Sequence, residues 1–209
     1  RDAEPGKILH ELRSTEMVRS REVPFGPYYG SVDATPLWLI LLSETHRWTG
    51  DRALVDRLWP NVLAALDWID ARTASGGEGD PFLAYGRRSS GGLFNQGWKD
   101  SGDAVRRRDG SQAMPPIRLA EVQGYVFDAR RRIAGLARDR GEMELAESLE
   151  RRAAALREAF EAQFWSEELG SYAMALDADG RQADALTSNP GHCLWTGIAR
   201  PDRARATAD

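Results

Sequence analysis

Cysteine is almost missing from this chain: Cys193 stands alone among 209 residues. A single thiol excludes an internal disulfide framework and any zinc site built on paired cysteines, and it fits the cytoplasm, the compartment expected here. No apolar run approaches the roughly 18 to 20 residues of a membrane span. The opening Arg1-Asp2-Ala3-Glu4-Pro5 has no signal-peptide character, so no membrane partner is expected. Basic excess is lacking too. A formal charge of -4 and a pI near 5.5 argue against a nucleic-acid footprint. The runs 106–108 and 130–132, all arginine, are each offset by nearby acids and are expected on solvated surface. His10-Glu11 is not followed by a second His at the zinc-protease spacing, and neither phosphate-binding glycine signature occurs, so no metal and no cofactor is expected.

What is present reads as globular and helical. With 42% hydrophobic and 29% charged residues, the chain has ordinary globular usage and is long enough for one sizeable core. Residues 6–21 form an extended or partly helical lead-in. Residues 23–36 then hold three prolines and two glycines, which predicts a fixed irregular loop carrying Tyr28, Tyr29 and Asp33. Thr35 as N-cap and Pro36 as first residue open a helix through Leu37, Ile40, Leu41, Glu44 and Trp48, stopped by Gly50. Asp51 caps a second helix through Leu54, Leu58, Val62, Leu66 and Ile69, with a kink expected at Pro60 and an end at Ser75-Gly76-Gly77.

An irregular span from about 80 to 116 follows, with Phe82-Leu83-Ala84-Tyr85 as a short strand. Helical spacing returns from Leu119 to Arg140, closed by Gly141, and again through Leu145, Leu149, Leu156, Phe160 and Phe164. Hairpin-like sequence from Ala173 to Ala185 leads to the polar loop Ser188-Asn189-Pro190-Gly191-His192, which runs into helix; Arg200-Pro201 looks like the entrance to another. Gly50-Asp51 is answered by Gly141-Glu142. Paired helices with loops gathered at one end are the pattern of an α/α toroid.

Within the long span, Gly91 to Asp103 is too rich in glycine to be helix. It crowds Asn95, Gln96, Trp98, Lys99 and Asp100 into six positions: hydrogen-bonding groups, an aromatic plane, a cation and an acid. Those are the groups that hold sugars. The alternative is an ordinary surface turn.

Four segments carry a resemblance. At Gly30-Ser31-Val32-Asp33-Ala34-Thr35-Pro36-Leu37, Asn95-Gln96-Gly97-Trp98-Lys99-Asp100-Ser101, Glu121-Val122-Gln123-Gly124-Tyr125 and Ser188-Asn189-Pro190-Gly191-His192, the chain resembles the amylo-α-1,6-glucosidase, or glycogen-debranching, group of six-hairpin glycosidases. The matches run in order from about residue 6 to 198. The resemblance implies an all-α fold, a partial (α/α) six-hairpin toroid, and an inverting mechanism with an Asp general acid and a Glu general base. The acid of the Trp-x-Asp-Ser loop carries over to Asp100. The base belongs to later hairpins, often in a Pro-Glu-Leu-like stretch that does not occur before Asp209. Residues 1–209 are therefore expected to be one incomplete catalytic domain, with further hairpins after 209.

The implied activity is release of glucose from α-1,6 branch points, with an α-glucan or oligosaccharide as partner. A toroid enzyme acting on a small glucoside such as trehalose or a glycosyl-glycerate, and a non-catalytic sugar-binding module, are the alternatives. An inverting pair needs one protonated carboxyl and one carboxylate about 6.5 to 9.5 Å away. For Asp100 to be that acid, burial beside Trp98 and a neighbouring carboxylate must raise its pKa, while an inward Lys99 would oppose this. Trp98 stacks on a sugar or fills the core. Asp33 and Tyr29 accept sugar hydroxyls, or Asp33 caps a helix. Glu121 and Gln123 are rim groups or ordinary first-turn residues, Tyr125 is core or site, and His192 binds sugar or is a satisfied structural histidine.

Overall fold

A computed structural model describes residues 2–20, 22, 26–74, 80–87 and 92–209. Gly91, the residues at 23–25 and the helix stop at Ser75-Gly76-Gly77 lie outside the described residues. In chain order the elements are β1 (Glu11–Leu12), α1 (Glu16–Arg19), β2 (Pro27–Tyr28), α2 (Ala34–Thr49), α3 (Arg52–Ala74), β3 (Arg118–Leu119) and α4 (Ala120–Asp139). They continue with α5 (Met143–Gln163), β4 (Trp165–Ser166), β5 (Ser171–Tyr172), β6 (Ala175–Leu176), β7 (Gln182–Ala183), α6 (Asn189–Thr196) and α7 (Pro201–Ala208).

The two helical hairpins turn on the same glycine geometry. Gly50 ends α2 and Gly141 follows α4 with φ of 68° and 80°, a left-handed conformation that glycine adopts without strain. Asp51 then caps α3, its carboxylate accepting the Leu54 N–H at 2.9 Å. α3 continues through Pro60 without breaking, because Pro60 sits on the exposed side. At the start of α2 the helix begins one residue before Thr35. The Thr35 hydroxyl accepts the Ile8 N–H at 3.0 Å, so it ties down the lead-in rather than capping.

α4 is the hub. It packs against α2, α5 and α6, and α3 packs on α2. Every residue from Ala120 to Arg130 is buried, the polar Glu121, Gln123, Asp128 and Arg130 included, as a helix surrounded on several sides requires. The expected solvated arginine runs hold for Arg106, Arg108 and Arg131, which are exposed, and are corrected for the rest: Arg130 is buried and donates to Asp70 at 3.0 Å, Arg132 pairs with Asp128 at 2.6 Å, and Arg107 pairs with Asp177. α2 buries Leu39, Ile40 and Leu42, whereas Leu41 and Trp48 of the expected stripe are exposed. Behind α4, Phe160 stacks on Phe164 at 4.7 Å, and Phe82 meets Phe164 edge-on at 5.3 Å.

The long span between the hairpins is pinned at both ends. The expected strand over Phe82–Tyr85 reduces to a single bridge, Tyr85 with Ile117. Its neighbouring N–H groups are taken by side chains instead: Phe82 donates to Asp80 at 3.0 Å and Leu83 to Gln123 at 2.9 Å. Arg118 holds the exit by donating to Asp80 at 2.9 Å and to the Asp177 carbonyl at 3.0 Å. β3, β6 and β7 form a small antiparallel sheet with Arg118 opposite Leu176 and Ala175 opposite Ala183. Among the described residues no helix is long and apolar enough to cross a membrane.

Candidate functional site

The first turns of α2, α4 and α6 meet at one end of the bundle, and the loop after Gly92 lies across them. Val32, just before α2, donates its N–H to the Gln96 carbonyl at 2.8 Å. Leu93 donates to the Tyr28 hydroxyl at 3.0 Å. Asn189, at the start of α6, donates to Glu121 Oε1 at 2.7 Å. Helix N-termini present unpaired N–H groups and positive dipole ends, so this is where a chain of this topology gathers acids and polar ligands.

Inside the loop, position and chemistry separate. Asn95 is buried; its amide donates to the Ser101 carbonyl at 2.6 Å and its carbonyl accepts the Tyr85 hydroxyl at 2.9 Å. Gln96 is buried and lends its backbone to Val32. At Gly97 a Cβ would stand 2.4 Å from Leu119 Cδ1, so the turn lies directly on α4's entrance. These residues set the height of the next four. Trp98 is 50% exposed, its ring 5.7 Å from that of His192. The Lys99 ammonium sits 5.1 Å from the Trp98 centroid, a cation–π contact, and Asp100 is exposed at the tip. Asp100 thus lacks, in this structure, the burial beside Trp98 that its acid role calls for. Its charge reaches Tyr28, whose pKa is raised first by burial.

The buried carboxyl of the site is Glu121, 1% exposed. Oε1 is held by Asn189, and Oε2 is buried without a hydrogen-bond partner among the described residues. Desolvation, with the nearby Asp33 charge, pushes the carboxyl up to about 7, against the pull of its own helix N–H, Asn189 and Lys99. Asp33 is buried, accepts the Ser31 hydroxyl and precedes α2, while Tyr29 is only partly buried. Gln123 is fully committed internally: it donates to the carbonyls of Leu83 and Leu119 at 3.0 and 2.9 Å and accepts from Leu83.

His192 lies on the other wall. Its Nδ1 is 2.7 Å from the Tyr125 hydroxyl, and burial followed by the Lys99 charge lowers its pKa, which keeps the imidazole neutral at pH 7. Tyr125 carries Trp195 edge-on at 6.1 Å. Leu37, Tyr125, Ser188, Gly191, His192 and Trp195 line an open cleft of about 500 Å³. Tyr125, open between core and site in the sequence, is therefore part of the site, Asn189 lies within a motif and holds Glu121, and Trp195 is the member that the motifs outlined without. The available signal for Trp195 is its place three residues after His192, one turn along the same face. No group of three His, Cys, Asp or Glu close enough to hold a metal occurs among the described residues.

The comparisons with known proteins agree with this architecture. Among solved structures, the chain is similar to a GH78-family rhamnosidase of Bacillus sp. GL1, with a TM-score of 0.63 and 21% identity over 83% of this chain and 16% of that one. A rhamnosidase from Klebsiella oxytoca with rhamnose bound gives a TM-score of 0.55 and 19% identity over 85% of this chain and 29% of that one. The chain spans less than a third of either enzyme. At such identities the likeness shows the fold, an all-α arrangement of toroid hairpins. No curated protein sequence matches. The profile of the mannosylglycerate hydrolase MGH1-like glycoside hydrolase domain matches residues 24–209. That match supports a glycoside hydrolase domain without singling out the debranching group. By this match over most of its length, the chain belongs to the MGH1-like glycoside hydrolase domain family.

Proposed function

We propose that this chain supplies the proton-donating half of an inverting glycosidase site whose substrate is a small glycoside of the glycosyl-glycerate type. The observation that carries the reading is the Trp98–Ser101 turn, fixed by Asn95 and Gly97 at the shared mouth of α2, α4 and α6. Asp100 gives its proton to the glycosidic oxygen as the bond from that oxygen to the anomeric carbon breaks, and the aglycone leaves as the alcohol. A carboxylate elsewhere in the parent protein takes a proton from water, which adds to the anomeric carbon from the opposite face. A sugar seated on Trp98 covers Asp100 and shields it from water at the glycosidic oxygen.

Asp33 accepts a sugar hydroxyl, Glu121 acts from beneath as the buried acid of the site, and Lys99 suits an aglycone that carries a carboxylate. Asn95, Gln96 and Gln123 hold the loops in place. The family description favours the glycosyl-glycerate substrate. The second reading, an α-1,6-branched glucan, is favoured by the four ordered sequence motifs. The test is to offer the full-length parent mannosylglycerate, glucosylglycerate, trehalose and a branched glucan, following the first-formed sugar by proton NMR. Turnover of a glycosyl-glycerate with inverted anomeric configuration is expected. Turnover of the glucan alone selects the second reading, a retained configuration contradicts the mechanism, and no turnover at all leaves a sugar-binding module.

A further inference from the structure

The open face of α6 does not read as a helix-packing surface. Ser188, Gly191, His192 and Trp195 follow one another along a single stripe, where a helix that buries itself against another helix carries aliphatic side chains. Trp195 is 59% exposed beside the cleft, and Trp98, across His192, is 50% exposed. Between the two indoles, His192 has one ring nitrogen engaged by Tyr125 at 2.7 Å, which orients the imidazole and leaves Nε2 as its remaining polar atom. An indole face flanked by a hydroxyl and an oriented imidazole matches a pyranose ring, which has an apolar C–H face and hydroxyls at its edge.

We propose that α6 forms a second sugar-contact wall, in which Trp195 stacks on a pyranose ring, His192 Nε2 meets one of its hydroxyls, and Tyr125 is the positioning residue for His192. The wall rests on the glycosidase reading and extends it to residues outside the Trp98–Ser101 turn. It makes Trp195 a determinant of affinity. Because Tyr125 acts through His192, its hydroxyl matters rather than its ring.

The experiment uses the full-length parent, with mannosylglycerate as probe or whichever glycoside the substrate panel selects. Trp195→Ala is expected to raise KM about tenfold with a much smaller change in kcat, and Trp195→Phe to recover most of the loss. Tyr125→Phe is expected to raise KM several-fold, with unchanged Tm, and to alter the pH dependence of kcat/KM near the histidine range. Indole oxidation mapped by mass spectrometry supplies an independent reading: Trp195 should react in the free protein and be protected by the glycoside. Unchanged KM in Trp195→Ala, or an indole unreactive with and without ligand, overturns the wall. An active parent with either of those results leaves the glycosidase reading standing, whereas a parent that turns over no glycoside removes the reading itself. If Trp195→Ala does not fold, the Trp195→Phe and Tyr125→Phe kinetics and the oxidation map decide.

Discussion

Glu121 concentrates the site's electrostatics in one residue. Folded, it holds its proton up to about pH 7, whereas the free carboxyl releases it near 4.5. The folded state therefore binds more protons between those values, and Glu121's contribution to stability is greatest below about 4.5 and is lost as pH rises through about 7, by up to ~1.4 kcal/mol per unit. Glu121→Gln keeps the shape and an acceptor for Asn189 but cannot ionise. Urea denaturation at a series of pH values should show the wild-type midpoint falling from pH 5 to 7.5 relative to that of Glu121→Gln; parallel curves for the two proteins would contradict the burial argument. The groups facing the carboxyl decide the outcome: Asp33 and Lys99 act in opposite senses, and Tyr85, Tyr125 and Cys193 feel its charge. None of this is readable from a glutamate in a helix's first turn, where an exposed acid favoured by the helix dipole is the ordinary outcome.

Elements meet at this site through two glycines. A Cβ at Gly124 would stand 2.6 Å from Thr196 Oγ1, so α4 and α6 approach more closely than any larger side chain permits. Gly124→Ala should therefore destabilise by ~1–3 kcal/mol, and adding Thr196→Ala should recover part of that loss, because the colliding oxygen is gone. A thermal double-mutant cycle checks this; additive losses would mean the contact does not set the spacing. At Gly97 the obstacle is buried Leu119, and Gly97→Ala should lift the Trp98 turn, lowering kcat/KM in the parent more than Tm.

The hairpin turns at Gly50 and Gly141 were legible in sequence because their signals are local: a glycine and helical spacing at both, and a capping acid, Asp51, at the first. The buried face of α2 was not, since Leu41 and Trp48 fit the helical period as well as Leu39 and Leu42 do, and only the position of α4 selects between them. Gln123 likewise looked like a rim residue, but the backbone it satisfies lies 40 residues away in sequence.

For the whole molecule, the order of motifs foretold their meeting: segments around 33, 95, 121 and 189 do converge at one end of the bundle. What sequence order did not carry was depth. Asp100 stands outside and Glu121 inside, a distinction set by how the loop rests on Leu119 and by the three helices beneath it. The family match places these hairpins in a glycoside hydrolase domain, and the solved relatives are several times longer than this chain. We propose the exposed Asp100 as the proton donor of that domain. The most direct measurement is the turnover of Asp100→Asn in the full-length parent, on the glycoside it accepts, alongside ligand affinity by calorimetry. Asp100→Asn should lose ~100-fold to 10,000-fold in kcat with affinity and Tm nearly unchanged; turnover within a few-fold of wild type would contradict a proton-donor role.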